Sequence, residues 1–429
     1  MTDAMLLLTL LFFGLMMLGA PVAFAIGISG FSFFAISSVM PAAIGVQQVA
    51  SASQSFPLLA VPFFVLAGHM MNRTGITRRL IRCSEVLVSW MAGGMAQVCI
   101  VLSTLMGGVS GSAVADAAME ARILGPDLIR NGYSRGFTCA TIAICSLITA
   151  TIPPSLGLIL YGFVGNVSIG KLFLAGIVPG LMMMAGLMTT VWLISRRRGY
   201  RSAVARPPTW AAMRAAVGDA KWALLFPVAL LVAIRGGLFT PSEVGAFAVV
   251  YAIVVGVVFH KELTWRDAMD ALLQGAIDNG LIVLIIMFSG MVGYAIIFEQ
   301  APQAIAAAML ELSHDPLVML GLIVVFLLIA GCFVEATVLV LLLTPIFLPI
   351  VRQLGVDEVH FGIVMMTMVT FGGMTPPVGV AMFTVCGLLD CPVDDYLVEA
   401  LPLIATILLL VAILILFPEV SLFLPRLVM

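Results

Sequence analysis

Apolar positions come in long continuous runs rather than in the one-face stripes of a soluble helical bundle. The runs lie at 4–20, 21–40, 56–72, 136–165, 172–194, 222–238, 242–259, 277–298, 360–387 and 397–417. Each approaches or exceeds the roughly 20 residues that a helix needs to cross about 30 Å of hydrocarbon, which predicts an all-α polytopic membrane protein with about 10 full spans. Two further stretches, 91–128 and 316–352, are apolar overall but interrupted by glycine, serine and acidic side chains.

Basic residues in short loops stay cytoplasmic, so their placement orients the spans. The clusters are Arg73, Arg78, Arg79 and Arg82; Arg130 and Arg135; Arg196, Arg197, Arg198, Arg201, Arg206, Arg214 and Lys221; and Lys261 with Arg266. With all of them inside, both termini fall on the periplasmic side. Only one long stretch separates Arg82 from Arg130, and a single span cannot both leave and return. Residues 91–128 are therefore expected to form an amphipathic surface helix continuing into a re-entrant hairpin, with GGVSGSAVADAA (107–118) at its tip. Residues 316–352 form the second hairpin. Backbone that turns at membrane depth must be surrounded by protein or water, since lipid satisfies no N–H or C=O group. Glycine supplies the turn and serine supplies local hydrogen-bond partners; helix packing through small residues is the alternative account. Segments 77–90 and 264–274 mix charges with apolar residues and suit interfacial helices, either lipid anchors or connecting arms.

An internal repeat fixes the architecture. Pro153 and Pro154 in ATIPPSLGLILYG match Pro376 and Pro377 in GMTPPVGVAMFTVCG at an offset of 223 residues. The same offset pairs Gly108 with Gly331, Ser112 with Glu335, Ala113 with Ala336, Pro126 with Pro349 and Gly132 with Gly355. In the threading above, the first proline pair is on an outward span and the second on an inward one. Two halves of one plan and opposite orientation are the mark of a secondary transporter. The linker RNGYSR after the first hairpin is basic and its counterpart GVDEVHF is acidic, as opposite sides require.

Composition narrows the class. Of 429 residues, 62% are hydrophobic and 10% charged, and the mean hydropathy is +1.19, far outside soluble averages. A net charge of −2 offers no basic footprint for nucleic acid. The first run has Asp3 where a signal peptide has basic residues, so it reads as a retained span. The seven cysteines, Cys99, Cys145, Cys332 and Cys386 among them, sit mostly in apolar runs without a CxxC pair, which suggests small buried side chains and neither a disulfide framework nor a metal site.

Proline inside a span removes a hydrogen bond and clashes with the preceding turn, so each Pro-Pro pair splits a helix and frees carbonyl oxygens. Carbonyls and hydroxyls are hard ligands suited to Na⁺, and half-helix N-termini attract an anionic substrate. Candidate Na⁺ ligands near the first break are Ser110, Ser112, Thr149, Thr151 and Ser155, with Gly107, Gly108 and Gly111 and the break at Pro153. The second set is Gly331, Glu335, Thr337, Gly372, Gly373 and Thr375, with Pro377. Ser110, Ser112, Ser155 and Thr375 are also substrate candidates. For any one hydroxyl, back-bonding to its own helix is the plainer reading. Glu335 costs about 2.5–3.5 kcal/mol at the centre of a span, so it should face a cavity or a partner, or be a neutral side chain closing the hairpin. Asp116 is expected to cap a helix near the rim. Replacing Ser110 or Thr375 by alanine is expected to weaken Na⁺-coupled uptake.

GGVSGSAVADAA, IPPSLGLILYG, TPPVG and LTPIFLPI (343–350) together resemble the large membrane subunit of tripartite ATP-independent periplasmic (TRAP) transporters, the DctM type. The resemblance covers nearly the whole chain. It implies a bacterial inner-membrane, Na⁺-driven importer of organic acids working as an elevator, with two re-entrant hairpins and two broken helices. It also implies a separate four-helix membrane subunit (DctQ type) and a periplasmic substrate-binding protein (DctP type) as partners. On that plan, residues 1–75 are scaffold helices and 76–170 the first transport half. Scaffold helices and the arginine-rich cytoplasmic loop fill 171–262, the second transport half 263–390, and a scaffold helix 391–429. Glu335 departs from the aspartate expected of the family.

Competing readings are few. GVSG (108–111) matches the GxSG pattern of intramembrane serine proteases, which need a histidine base. His260, His314 and His360 fall in loops or rims, and His69 reads as a satisfied polar residue of a span. A channel lined by glycine carbonyls is a second class. A divalent-anion/Na⁺ symporter working without a binding protein is the nearest rival.

Overall fold

A computed structural model describes residues 3–37, 39–54, 60–200, 202, 207–236, 239–312 and 315–428. Arg201, Arg206, His314 and the beginning of the run at 56–72 lie outside these. Among the described residues every regular element is helical. The first half comprises α1 (Asp3–Met17), α2 (Val22–Ile36), α3 (Ala42–Ser53), α4 (Ala60–Arg73), α5 (Ile76–Val88), α6 (Gly94–Gly107), α7 (Ala113–Ile123), α8 (Gly125–Arg130), α9 (Arg135–Thr151), α10 (Leu156–Gly165) and α11 (Ile169–Arg198). After α12 (Trp210–Asp219) the second half has α13 (Lys221–Arg235), α14 (Pro241–Val254, running on as a π-helical turn Val255–Phe259), α15 (Trp265–Phe298), α16 (Ala301–Leu312), α17 (Pro316–Phe333), α18 (Ala336–Gln353), α19 (Glu358–Gly372), α20 (Val380–Leu388) and α21 (Val393–Leu416). A short α22 (Glu419–Val428) follows.

The 223-residue offset carries through the whole fold. It lays α1 on α13, α2 on α14, α3 and α4 on the two ends of α15, α5 on α16, and α6 on α17. It continues with α7 and α8 on α18, α9 on α19, α10 on α20 and α11 on α21. Packing between the halves is reciprocal: α7 meets α20 as α18 meets α10, α4 meets α14 as α15 meets α2, and α9 meets α21 as α19 meets α11. Each half therefore completes the core of the other.

Every residue of α9 and of α19 except the first is buried, as expected of helices that are apolar all round. They form the centre of the molecule. Both end at a proline pair, Pro153–Pro154 and Pro376–Pro377, each joined by a cis bond. The chain re-enters a helix at α10 with its axis turned by 44° from α9.

Among the described residues, α11, α15, α17, α18 and α21 can each cross a membrane by length and composition, and counting the bent pairs α9–α10 and α12–α13 raises the number to 7. Helices α1, α2, α6, α14 with its π-turn, and α19 are apolar but shorter. The fold is thus that of an all-helical polytopic membrane protein. Length alone does not assign a helix to a hairpin or to a full span, since α17 and α18 have 18 residues each and α1 and α2 only 15.

Two local expectations are corrected. The segment from 91 does not begin as an amphipathic surface helix, because α6 is buried at every position but Leu105. The amphipathic element is α5, which buries Ile76, Leu80 and Cys83 and turns Arg78 and Arg82 outward. Residues 264–274 are not a separate interfacial helix either. A capping box of Thr264 with Asp267 starts one uninterrupted helix of 34 residues. Arg79 ties α5 to the loop that precedes α15 through Glu262 at 2.9 Å. Burial opposes charge on Glu262, but the Arg79 hydrogen bond and the Arg79 and Arg78 charges overcome it and hold the carboxyl below its ordinary value.

Candidate substrate and cation site

Four helices begin around one cleft. Ser112, Ala113 and Val114 bring the start of α7, Leu156 and Gly157 that of α10, Glu335, Ala336 and Thr337 that of α18, and Val380 and Ala381 that of α20. Ala150 of α9 and Met366, Val369 and Thr370 of α19 close the floor. The cleft holds about 520 Å³ of empty space, its mouth included. Each helix start presents unpaired N–H groups and roughly half a positive charge, so four together favour an anion.

Local chemistry explains why the helices start there. Ser112 Oγ accepts from Ala115 N at 3.5 Å, and Ser155 Oγ accepts from Leu158 N at 3.4 Å. Glu335 accepts from Thr337 N at 2.9 Å and from Thr337 Oγ1 at 2.7 Å. Gly379, with φ +45°, precedes α20 and brings no side chain. Ser112 and Glu335, matched in the repeat, are thus both N-caps. The extra methylene of Glu335 does not prevent capping, and its carboxylate adds an acid that Ser112 lacks.

The tips press against the breaks, which accounts for the glycines. A Cβ on Gly107 would lie 2.8 Å from Ile152 Cβ, and one on Gly111, with φ +66°, would collide with the Pro154 carbonyl. In the other half a Cβ on Gly331 would lie 2.5 Å from the Val369 carbonyl oxygen, and Gly379 N donates to Cys332 O at 2.9 Å.

The sequence candidates divide by position. Gly111, Ser112, Glu335, Thr337 and Gly373 line the cleft. Gly108 instead abuts Pro227 of α13. Thr149 Oγ1 donates to Ser103 O at 2.9 Å, and Thr151 Oγ1 back-bonds to Leu147 O at 3.0 Å. Ser155 and Pro153 are buried at the first break, whereas Pro377 is exposed at the second. The halves also differ in free oxygens. Among the described residues the carbonyls of Gly108, Ser110 and Gly111 accept no backbone hydrogen bond. By contrast, Gly372 O accepts from Thr375 N at 3.0 Å and Gly373 O from Ala381 N at 2.8 Å. Thr375 Oγ1 donates to Gly372 O at 2.9 Å and lies 3.1 Å from Cys332 Sγ. The first tip therefore has the more open carbonyl oxygens.

Asp116 is not a rim cap, because Ser112 performs that task. It is 2% exposed, faces the hydroxyls of Thr149 and Ser110, and has one carboxyl oxygen without a hydrogen-bond partner. The usable signal is its place six residues after Ser110, on the first turn of α7. Thr370, whose buried hydroxyl also lacks a partner, was not among the sequence candidates. Nor was Glu120, fully buried and bonded to Ser103 Oγ at 2.8 Å. The histidines are engaged elsewhere: His69 with Asp278 at 2.7 Å, His260 with Thr74 O at 2.8 Å and His360 with Ser421 at 2.8 Å. Ser110 has no histidine base among these.

An all-helical membrane fold whose repeated interrupted helices open on one small polar cleft defines a membrane transporter. A family model for the tripartite ATP-independent periplasmic transporter, DctM component, matches residues 9–420, and the chain belongs to that family. Its members are transporter permeases and not enzymes. The chain is 34% identical over 420 residues to the sialic acid TRAP transporter large permease protein SiaM of Vibrio cholerae, with 96% of each chain covered. It is 33% identical to the C4-dicarboxylate TRAP transporter large permease protein DctM of Pseudomonas aeruginosa, with 87% of each covered. The isethionate TRAP transporter permease protein DctMQ of Oleidesulfovibrio alaskensis is 35% identical over 95% of this chain, which spans 64% of that relative. The fold is also similar to the Alcanivorax borkumensis YdaH transporter, with TM-score 0.66, 14% identity, and coverage of 96% of this chain and 98% of that one. The resemblance read from the tip and break motifs is borne out, and the chain is a substrate-uptake permease.

Proposed function

We propose that this permease imports an organic acid anion across the bacterial inner membrane, driven by Na⁺ and working with a four-helix small permease and a periplasmic binding protein. The observation that carries the reading is the convergence of four helix N-termini on one cleft, with unpaired carbonyls and a buried carboxylate beside it. The anion's carboxylate sits among the N–H groups. Na⁺ sits at the first tip among the carbonyls of Ser110 and Gly111, the Ser110 hydroxyl and Asp116, with a second, tighter site near Glu335. The repeated halves have opposite topology, both termini face the periplasm, and the two hairpin-and-break units move together as an elevator against α1–α4, α11–α14 and α21–α22. The compounds for which the relatives are named, sialic acid, C4-dicarboxylates and isethionate, are all acids, which supports the substrate class.

Reconstitution with a small permease and binding protein from the same genome tests this. A screen of carboxylates and sulfonates by thermal shift of the binding protein identifies the ligand for uptake assays. Uptake should require an inward Na⁺ gradient and all three components. Uptake that persists without the binding protein would instead favour the two-component symporter reading, and uptake indifferent to Na⁺ removes the coupling proposal. Ser110→Ala should raise the half-saturating Na⁺ concentration about tenfold, the worth of one hydroxyl facing a charge. Thr375→Ala should change it much less, because that hydroxyl is already engaged.

A further inference from the structure

Three cysteines that share no local motif come together away from the cleft. The Sγ atoms of Cys139, Cys386 and Cys391 all lie within 4.8 Å of one another. Their residues are 0%, 3% and 7% exposed. Cys139 comes from the second turn of α9, Cys386 from α20, and Cys391 from the link into α21. The cluster therefore joins the first half of the chain to the second. The offset of 223 places Gly362, Phe163 and Ser168 opposite them, so the trio has no counterpart in the repeat and is no part of the doubled transport machinery.

We propose that Cys139, Cys386 and Cys391 form a three-thiolate site for a soft, thiophilic d¹⁰ ion of the Cu(I) type. Thiolates bound at about 2.3 Å to a common ion stand roughly 4 Å apart, so small χ1 rotations from the present spacing suffice. A set of three sulfurs with no imidazole matches Cu(I), whereas carboxylate and carbonyl sets match harder ions. A disulfide would use only two of the three. Each ligating thiol gives up its proton when the ion enters. The N-terminal ends of α9 and α21 favour the negative charge this creates, and the C-terminal end of α20, whose last turn holds Cys386, opposes it. Arg135, whose Nη1 donates to Asp390 O at 3.0 Å, adds a cation at the same rim. Asp395 also faces Cys391 and opposes it. An ion here would staple α9 to α20 and the start of α21.

The test uses the purified full-length chain, reduced and anaerobic, titrated with Cu(I) against bathocuproine disulfonate. Wild type should retain about one Cu(I) per chain, and Cys139→Ser, Cys386→Ser and Cys391→Ser should each lose at least about tenfold in affinity. Cys83→Ser should bind as wild type. Cu(I) should raise the Tm of wild type and leave the triple variant unchanged. A measurement needing no variant is alkylation mapping of wild type, in which Cu(I) should protect these three cysteines and leave the other four reactive on denaturation. Unaltered alkylation of the trio by Cu(I), wild-type affinity in the serine variants, or a disulfide within the trio in freshly purified reduced protein would each overturn the proposal.

Discussion

Asp116→Asn is expected to abolish the stabilisation that Na⁺ gives the protein and to lower Na⁺-driven uptake by about 100-fold or more. A carboxyl oxygen at 2% exposure with no donor is costly inside a protein. A cation bound between Asp116, Ser110 and the free tip carbonyls supplies the missing partner, so the ion and the fold stabilise one another. Breaking a buried charged contact by removing one partner typically costs about 3–5 kcal/mol, which is the scale of the uptake loss. Asparagine keeps the volume and one acceptor but removes the charge, so a folded, inserted and Na⁺-insensitive protein is the signature. Glu335→Gln is the informative contrast. Its carbonyl can still accept from Thr337 N and keep α18 capped, so the helix start survives while the charge is lost. Thermal melts in Na⁺ and in choline read both variants. A Na⁺-dependent shift in Asp116→Asn equal to that of wild type would remove Asp116 from the ion site.

The repeat was legible because glycine and proline mark positions where backbone geometry leaves no alternative. The matched pairs at 108 and 331, 132 and 355, and the two proline pairs survive as tips, turns and breaks. The pairing of Ser112 with Glu335 was legible as a match, and only the structure shows the shared job of capping. What failed to show in the sequence depends on neighbours distant along the chain. Helix α6 carries Gln97, Ser103 and Thr104, which look surface-facing until α5, α9 and α11 enclose them. Asp116 looks like a first-turn acid favouring its own helix dipole, a cause that operates whether or not the residue is buried. The cysteine trio is separated by more than half the chain and follows neither period of the helix nor the repeat. Helices α17 and α18 are as apolar as α11, α15 and α21, so hydropathy alone does not assign them to a hairpin or to full spans.

A close main-chain crossing within the second half should respond to a single methyl group. Gly331 and Gly372 face each other where α17 crosses α19, and a Cβ on Gly372 would lie 2.5 Å from both Gly331 Cα and Gly331 C and 2.7 Å from Leu328 O. These are main-chain atoms of a neighbouring helix, with no side-chain rotamer available to yield. Gly372→Ala must therefore push α17 away from α19, which opens the junction of the second tip with its break, where Gly379 N reaches Cys332 O. Overpacking of this kind costs about 1–3 kcal/mol, and more where backbone must move. At Gly321 on the same α17 and Gly387 on α20, an added methyl would meet nothing within 4 Å. There the same exchange should be neutral or stabilising by up to about 1 kcal/mol, because alanine favours the helix and restrains the unfolded chain. Identical chemistry should thus give opposite signs at sites within two helical elements: a lower Tm and lost uptake for Gly372→Ala, and an equal or higher Tm with retained uptake for Gly387→Ala. If Gly372→Ala melts with wild type and transports normally, α17 and α19 do not cross at that distance, and the second half of the cleft is not built by the close contact of tip and break.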